Sequence, residues 1–173
     1  MTLPLASRTA WIFDLDGTLT VPVHNFAYIR QELAIPDGAD ILGHLETLPS
    51  IIAQQRHKRL DEIELELAVQ AIPSPGVPEL LEYLFSSGAD LGILTRNTRG
   101  VALLTLESLG IRHYFHDDNV LGREEAKPKP DPSGIYHLQG KWSAESQQTV
   151  MVGDYLFDLL AGKAAGAMTI HVG

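Results

Sequence analysis

The sequence predicts an α/β fold in which a parallel sheet carries helices on both faces. Short apolar segments lie at residues 9–15, 90–95, 149–152 and 168–172, with a weaker candidate at 119–121. Within each segment apolar and polar residues do not alternate regularly, which is typical of strands that are buried on both faces. Between these segments lie others with helical spacing of apolar residues, at 76–87, 98–109 and 155–165. Strands that alternate with helices favour right-handed crossovers and a parallel sheet.

One stretch, residues 20–73, interrupts this alternation. Its apolar spacing indicates helices at 25–34, 39–48 and 50–71, and it ends at the breaker sequence Pro73-Ser74-Pro75-Gly76. We therefore predict a small α-helical insertion at 20–73 after the first strand, lying over the end of that strand, with residues 1–19 and 74–173 forming the core. The alternative is two ordinary crossover helices joined by loops.

Composition narrows the class of protein. The 173 residues suit one domain with a modest insertion. Thirteen Lys and Arg stand against 22 Asp and Glu, and this net charge of −9 argues against nucleic acid or an anionic membrane as a partner. The absence of cysteine excludes thiolate metal sites and cysteine nucleophiles. No apolar segment has membrane-spanning length and the first ten residues lack a signal-peptide pattern, so we expect a cytoplasmic protein. Composition gives no indication of the oligomeric state.

Polar residues cluster where the predicted strands end. Ligands of open parallel sheets bind at the carboxyl ends of the strands, and the residues found there, or in the loop between the second and third segments, are Asp14, Asp16, Gly17, Thr18, Thr95, Arg96, Asn97, Lys127, Asp154 and Asp158. Carboxylates that converge in this way need a cation to stay ionised, and oxygen ligands suit Mg²⁺. Lys127, Thr95 and the backbone N–H groups of the glycine-containing turn could then hold phosphate oxygens.

These motifs resemble those of the haloacid dehalogenase superfamily. The first is Asp14-Leu15-Asp16-Gly17-Thr18-Leu19, the second Thr95, the third Lys127 in Lys127-Pro128-Lys129-Pro130, and the fourth Gly153-Asp154 through Asp158. The resemblance implies a Rossmann-like, three-layer α/β/α core. Lys127 is favoured over Lys129 for the third motif because of the Lys-Pro-x-Pro spacing.

The resemblance also implies roles for these residues. Asp14 would be the nucleophile and Asp16 the general acid and base, while Thr95 and Lys127 would bind the phosphoryl group. Asp14, the Asp16 backbone carbonyl and Asp154 would hold Mg²⁺, with Asp158 as a neighbouring or alternative ligand. The helical insertion at 20–73 occupies the place of the small cap in the phosphoglycolate phosphatase-like branch. Candidate substrate-binding residues are Gly17, Arg96, Asn97 and, in this cap, Arg56.

The expected function is Mg²⁺-dependent hydrolysis of a small-molecule phosphomonoester through an aspartyl-phosphate, as in the phosphoglycolate phosphatase-like branch. The presence of Asp16 points to phosphate esters, because dehalogenase members lack an acid/base there. Two features depart from that branch: Asp14 and Thr95 are closer in sequence than usual, and Arg96 stands where Asn is common. The alternatives are a sugar-phosphate mutase of the β-phosphoglucomutase type and, from another class, a phospho-accepting receiver-like signalling module.

Overall fold

A computed structural model describes residues 4–173. It contains one sheet of five parallel strands in the order β3-β2-β1-β4-β5. The strands are β1 (Ala10–Phe13), β2 (Asp90–Leu94), β3 (Val120–Leu121), β4 (Thr149–Gly153) and β5 (Met168–His171). The predicted α/β fold class is confirmed. The central position of β1 explains its uninterrupted apolar sequence, because all four of its residues are buried.

Helices cover both faces of the sheet. The helices are α1 (Phe26–Glu32), α2 (Ile41–Glu46), α3 (Ser50–Ala68), α4 (Val77–Ser86), α5 (Arg99–Ser108), α6 (Ser133–Trp142) and α7 (Leu156–Ala164). Short 3-10 turns lie at Leu5–Ser7, Arg112–Tyr114, Asp117–Asn119 and Ser146–Gln148.

The pleat of β1 divides the core into two layers. Phe13 packs in one apolar cluster with Leu81 of α4 and Leu106 of α5. Ile12, which points to the opposite face, packs in a second cluster with Leu138 of α6 and Ala161 of α7. The result is the predicted three-layer α/β/α arrangement.

Helix α6 is absent from the elements that the sequence predicted. Its segment contains two glycines and few apolar residues, so the apolar stripe that marks the other core helices is narrow. The structure shows that Ile135 and Leu138 nevertheless have no exposed surface. Tertiary packing therefore determines this helix more than its own periodicity does.

The three helices of the inserted stretch share an apolar cluster of their own. That cluster is built from Ile29, Leu33, Ile35, Leu42, Leu45, Leu60 and Ile63. Side chains cap two of the helices, since Asn25 accepts from Tyr28 N and Asp40 from Gly43 N. An isolated antiparallel bridge joins Thr20 to Pro73, where the stretch leaves and re-enters the rest of the chain. The separate cluster supports the proposed cap at 20–73, which we call the cap below.

The remaining predictions on architecture concern the chain ends and membranes. Residues 1–3, which were assigned to the core, lie outside the described residues. Within residues 4–173, none of the helices is both long and apolar enough to cross a membrane.

Candidate active site

The first and fourth strands bring their carboxyl ends together. Strand β1 pairs with β4, and Asp14 N donates to the Val152 carbonyl oxygen at 2.8 Å. Asp14 follows β1 directly and Asp154 follows β4, with Asp158 in the first turn of α7. Each of these three residues offers a carboxylate oxygen within 4.8 Å of the others. The structure thus brings Asp14 together with two predicted site residues that are far from it in sequence, Asp154 and Asp158.

Gly17 allows the turn after β1 to approach Asp154. Its φ of +83° lies in the left-handed region, and a Cβ atom there would lie 2.4 Å from Asp154 Oδ2. The turn is held by a hydrogen bond from Gly17 N to Thr20 Oγ1 of 3.0 Å. Thr18 Oγ1 lies 3.3 Å from both Asp14 Oδ2 and Asp154 Oδ1. Glycine is therefore required here by both conformation and space, and Thr18 links the two carboxylates.

Lys129, and not Lys127, is the lysine of this cluster. Lys129 Nζ lies 2.7 Å from Asp14 Oδ1 and 2.6 Å from Asp158 Oδ1, and the residue is 2% exposed. Lys127 is exposed to solvent, so its predicted placement is wrong.

The spacing could not have separated the two lysines, because both are followed by Pro-x-Pro. What distinguishes Lys129 is its burial in the folded chain. Asp131 Oδ1 accepts from Ser133 N at 2.9 Å, which fixes the chain just after Lys129 at the beginning of α6.

Burial and the opposing lysine determine the electrostatics of the carboxylates. Burial raises the pKa of Asp14 above its ordinary value, although the Lys129 ammonium opposes the shift and the Asp154 carboxylate adds to it. Burial likewise raises the pKa of Asp158. Burial lowers the pKa of Lys129, but the Asp14 and Asp158 carboxylates raise it by more, so the net shift of the Lys129 pKa is upward. Lys129 is therefore charged.

Asp16 lies beside an amide and an imidazole. Asn97 Nδ2 donates to Asp16 Oδ2 at 2.5 Å, and His24 Nε2 lies 3.9 Å from Asp16 Oδ1. Burial raises the pKa of Asp16 to about 6, against the opposing effect of His24. His24 also stacks on Phe26 of α1, with ring centroids 5.6 Å apart. His24 was not among the predicted site residues, and no motif marks it.

The end of β2 supplies the second group of predicted residues. Thr95 is buried, its N–H donates to the Leu121 carbonyl oxygen at 3.0 Å, and its Oγ1 accepts from Asn97 N at 3.1 Å. Arg96 pairs with Asp40 of the cap through two contacts, Nη1 to Oδ1 at 2.7 Å and Nη2 to Oδ2 at 2.9 Å. Its guanidinium carbon lies 5.0 Å from the centre of the Phe157 ring.

Two predicted residues have other contacts in the structure. Arg56 Nη1 donates to the Ala34 carbonyl oxygen at 3.1 Å, so this arginine is engaged within the cap and not in the carboxylate cluster. Asp158 Oδ2 accepts from Tyr155 N at 3.0 Å, and its other oxygen holds Lys129. Asp158 thus orients the lysine and caps the first turn of α7.

The donor set fits Mg²⁺. Lys129 brings one positive charge to three carboxylates, and the excess negative charge favours a further cation. Carboxylate oxygens are the ligands that this hard ion prefers.

Comparison with known proteins identifies the class. Residues 11–172 match the family described as haloacid dehalogenase-like hydrolase. A haloacid dehalogenase-like hydrolase domain-containing protein of Arabidopsis thaliana is 33% identical over 173 residues, which cover 91% of this chain and 68% of that protein. A phosphoglycolate phosphatase of Agrobacterium fabrum is 31% identical over 185 residues, which cover 93% of this chain and 78% of that protein.

A solved structure agrees on the fold. The crystal structure of a hydrolase from Pseudomonas syringae has a TM-score of 0.80 at 24% identity, and the match covers 95% of this chain and 84% of that one. The chain belongs to the haloacid dehalogenase-like hydrolase family. The predicted family and the predicted enzyme class, a phosphatase of the haloacid dehalogenase type, are confirmed.

Proposed function

We propose that the protein hydrolyses a small-molecule phosphomonoester in the presence of Mg²⁺, through an aspartyl-phosphate formed on Asp14. The observation that carries this proposal is the position of Asp14: its carboxylate is buried at the end of the central strand, 2.7 Å from a lysine and beside a second carboxylate, Asp154. A carboxylate beside a bound cation and a lysine can attack a phosphoryl group held between them.

The first half of the proposed reaction transfers the phosphoryl group to the protein. An Asp14 carboxylate oxygen attacks phosphorus as the bond from phosphorus to the ester oxygen breaks, and Asp16 gives its proton to the departing oxygen. The Asn97 amide holds the Asp16 carboxyl in orientation. The Lys129 ammonium and the Thr95 hydroxyl donate to phosphoryl oxygens and balance the negative charge that develops there.

The second half returns the protein to its starting state. Asp16, now ionised, takes a proton from a water molecule as that water attacks the phosphorus of the aspartyl-phosphate. The bond from phosphorus to Asp14 breaks, inorganic phosphate leaves, and Asp16 is protonated again for the next turnover.

The metal would be held by oxygen atoms from the segments that follow β1 and β4. Asp14, Asp154 and the backbone carbonyl of Asp16 are the proposed ligands, with Asp158 nearby but engaged by Lys129. When bound, Mg²⁺ neutralises charge on the transferring phosphoryl group.

The similarity to phosphoglycolate phosphatase supports a small phosphate ester as the substrate. The cap contacts this end of the sheet, since Asp40 of the cap reaches Arg96 at the end of β2. Membership of a hydrolase family favours an enzyme over the receiver-like module. The mutase alternative uses the same aspartyl-phosphate and differs in where the phosphoryl group goes next.

A panel of metabolite phosphates tests the proposal. We expect the purified protein with Mg²⁺ to release inorganic phosphate catalytically, and Asp14→Asn to lower kcat by at least about 10³-fold with the fold intact by circular dichroism. Asp118→Asn, which changes an exposed carboxylate, is the matched control and should keep full activity.

Full activity of Asp14→Asn would show that Asp14 is not the nucleophile. A protein that releases phosphate from none of the esters would contradict the proposed function. Product analysis with a hexose phosphate separates hydrolysis from transfer to a second hydroxyl.

A further inference from the structure

Arg123 joins the cap to the core. It lies just after β3, and its side chain is 9% exposed. Its Nη2 pairs with the Asp61 carboxylate, and its Nη1 lies 3.2 Å from Glu64 Oε2. Asp61 and Glu64 both belong to α3, and their spacing of three residues places them on one face of that helix.

The same arginine is bound to the loop that follows β2. Arg123 Nη1 also donates to the Arg96 carbonyl oxygen at 3.2 Å, and Arg123 N donates to the Asn97 carbonyl oxygen at 2.9 Å. The two loops are in close backbone contact, because a Cβ at Gly122 would lie 2.6 Å from that same Asn97 oxygen. Both the main chain and the side chain of Arg123 therefore hold the segment that carries Asn97.

Asn97 in turn contacts the proposed acid and base. Its backbone is held by Arg123 and by Thr95 Oγ1, while its Nδ2 donates to Asp16 Oδ2. A continuous path of hydrogen bonds thus runs from the cap helix α3, through Arg123 and Asn97, to Asp16.

We propose that Arg123 is a positioning residue that holds Asn97 against Asp16 when α3 of the cap is docked on the core. This inference rests on the proposed phosphatase function, in which Asp16 protonates the leaving oxygen. A guanidinium suits the role because its planar fork can donate in several directions at once, here to two cap carboxylates and one core carbonyl. Docking of the cap and proton transfer at Asp16 are then coupled through one side chain.

The dependence of rate on the leaving group separates positioning from simple stabilisation. An alkyl oxygen needs a proton as it departs, whereas p-nitrophenolate is a weak base that leaves readily without one. If Arg123 acts through Asp16, its loss lowers kcat/KM for an alkyl phosphate more than for p-nitrophenyl phosphate. If it only stabilises the fold, both values fall by the same factor.

The experiment compares Arg123→Gln with Arg112→Gln in the full chain. Arg112 is the matched control, since it is an exposed arginine that pairs with two carboxylates, Glu107 and Asp117. We expect Arg123→Gln to lower the ratio of the two kcat/KM values, alkyl ester over aryl ester, by about tenfold, which is part of the contribution of a general acid. Arg112→Gln should leave the ratio unchanged.

Two further variants keep the test decisive. Asp61→Asn removes one cap partner of Arg123 at a half-exposed position and should shift the ratio in the same direction, even where Arg123→Gln does not fold. Combining Arg123→Gln with Asn97→Ser should change the ratio no more than Asn97→Ser alone, because both act on one path.

An unchanged ratio in Arg123→Gln or Asp61→Asn, or effects that multiply in the double variant, would overturn the inference while leaving the phosphatase proposal standing. A wild-type protein inert toward both esters would overturn both.

Discussion

Lys129 Nζ lies 2.7 Å from Asp14 Oδ1, in the interior of the protein at the end of the central strand. The residues are 115 positions apart in sequence, and their contact joins the first strand to the loop before α6. A buried carboxylate is costly unless it is paired, so this contact favours the ionised form of Asp14, which is the form that the proposed attack on phosphorus requires.

Removing the buried lysine should damage both stability and activity. Lys129→Met leaves Asp14 and Asp158 without their cation, and we expect a loss of about 3 kcal/mol in the free energy of unfolding, measured by urea titration, together with a large fall in kcat. Lys127→Met, at the exposed lysine two residues earlier, should change stability by less than about 0.5 kcal/mol. Equal effects of the two substitutions would show that Lys129 is not the lysine of the site.

Gly17→Ala should lower the stability of the protein more than the same substitution at a matched turn does. Gly17 and Gly38 both have positive φ, +83° and +76°, but a Cβ at Gly38 meets nothing within 4 Å. Gly38→Ala should therefore cost only the backbone strain, about 1 kcal/mol, and keep its activity. Gly17→Ala carries the same strain and also displaces Asp154, so we expect a larger loss of stability by thermal denaturation and a lower kcat. Normal kcat in Gly17→Ala would mean that Asp154 can move without effect.

Glu64→Gln should change how stability depends on pH. Burial raises the pKa of Glu64 to about 7 from the ordinary 4.5, although Arg123 opposes the shift. Because the folded-state pKa is the higher one, the folded protein binds more protons between pH 4.5 and 7, and this group lowers stability as pH rises through that range. Above pH 7 the ionised Glu64 lowers the free energy of unfolding by about 3 kcal/mol in full.

Glutamine cannot ionise and so avoids that penalty. We expect Glu64→Gln to match the wild type near pH 4.5 and to gain stability relative to it by pH 8, as measured by urea denaturation at each pH. A constant difference across this range would contradict the shifted pKa.

Mg²⁺ should stabilise the folded protein through Asp154. A ligand that binds only the folded state at 100 times its Kd adds about 2.7 kcal/mol, which raises the melting temperature by several degrees. Asp154→Asn should reduce this rise, whereas Asp118→Asn, at an exposed carboxylate, should keep it. The same rise in both variants would place the ion away from Asp154.

The sequence was most informative where residues that are close in the chain form the site. Asp14, Asp16 and Gly17 lie in one turn after a strand that is apolar throughout, so a local pattern indicated both the strand and the carboxylates. Asp154 was predicted by the same reasoning, because parallel strands align their carboxyl ends.

Residues that depend on tertiary packing were harder to predict. Lys127 and Lys129 share the same local spacing, and only the folded structure shows that Lys129 is the buried one. His24 of the cap lies beside Asp16, and Arg123 of the core reaches the site through Asn97; neither residue lies in a motif. Helix α6 carries too few apolar residues for its periodicity to be visible.

The order of strands also has a consequence for synthesis on the ribosome. Strand β1 ends at Phe13, but its neighbour β4 begins only at Thr149, so the long segment between them must emerge before the two can pair. Until then Asp14 has no Asp154 beside it, and an incomplete chain carries no assembled centre. The carboxylate cluster can therefore assemble on the ribosome only after β4 and the first turn of α7 have been synthesised.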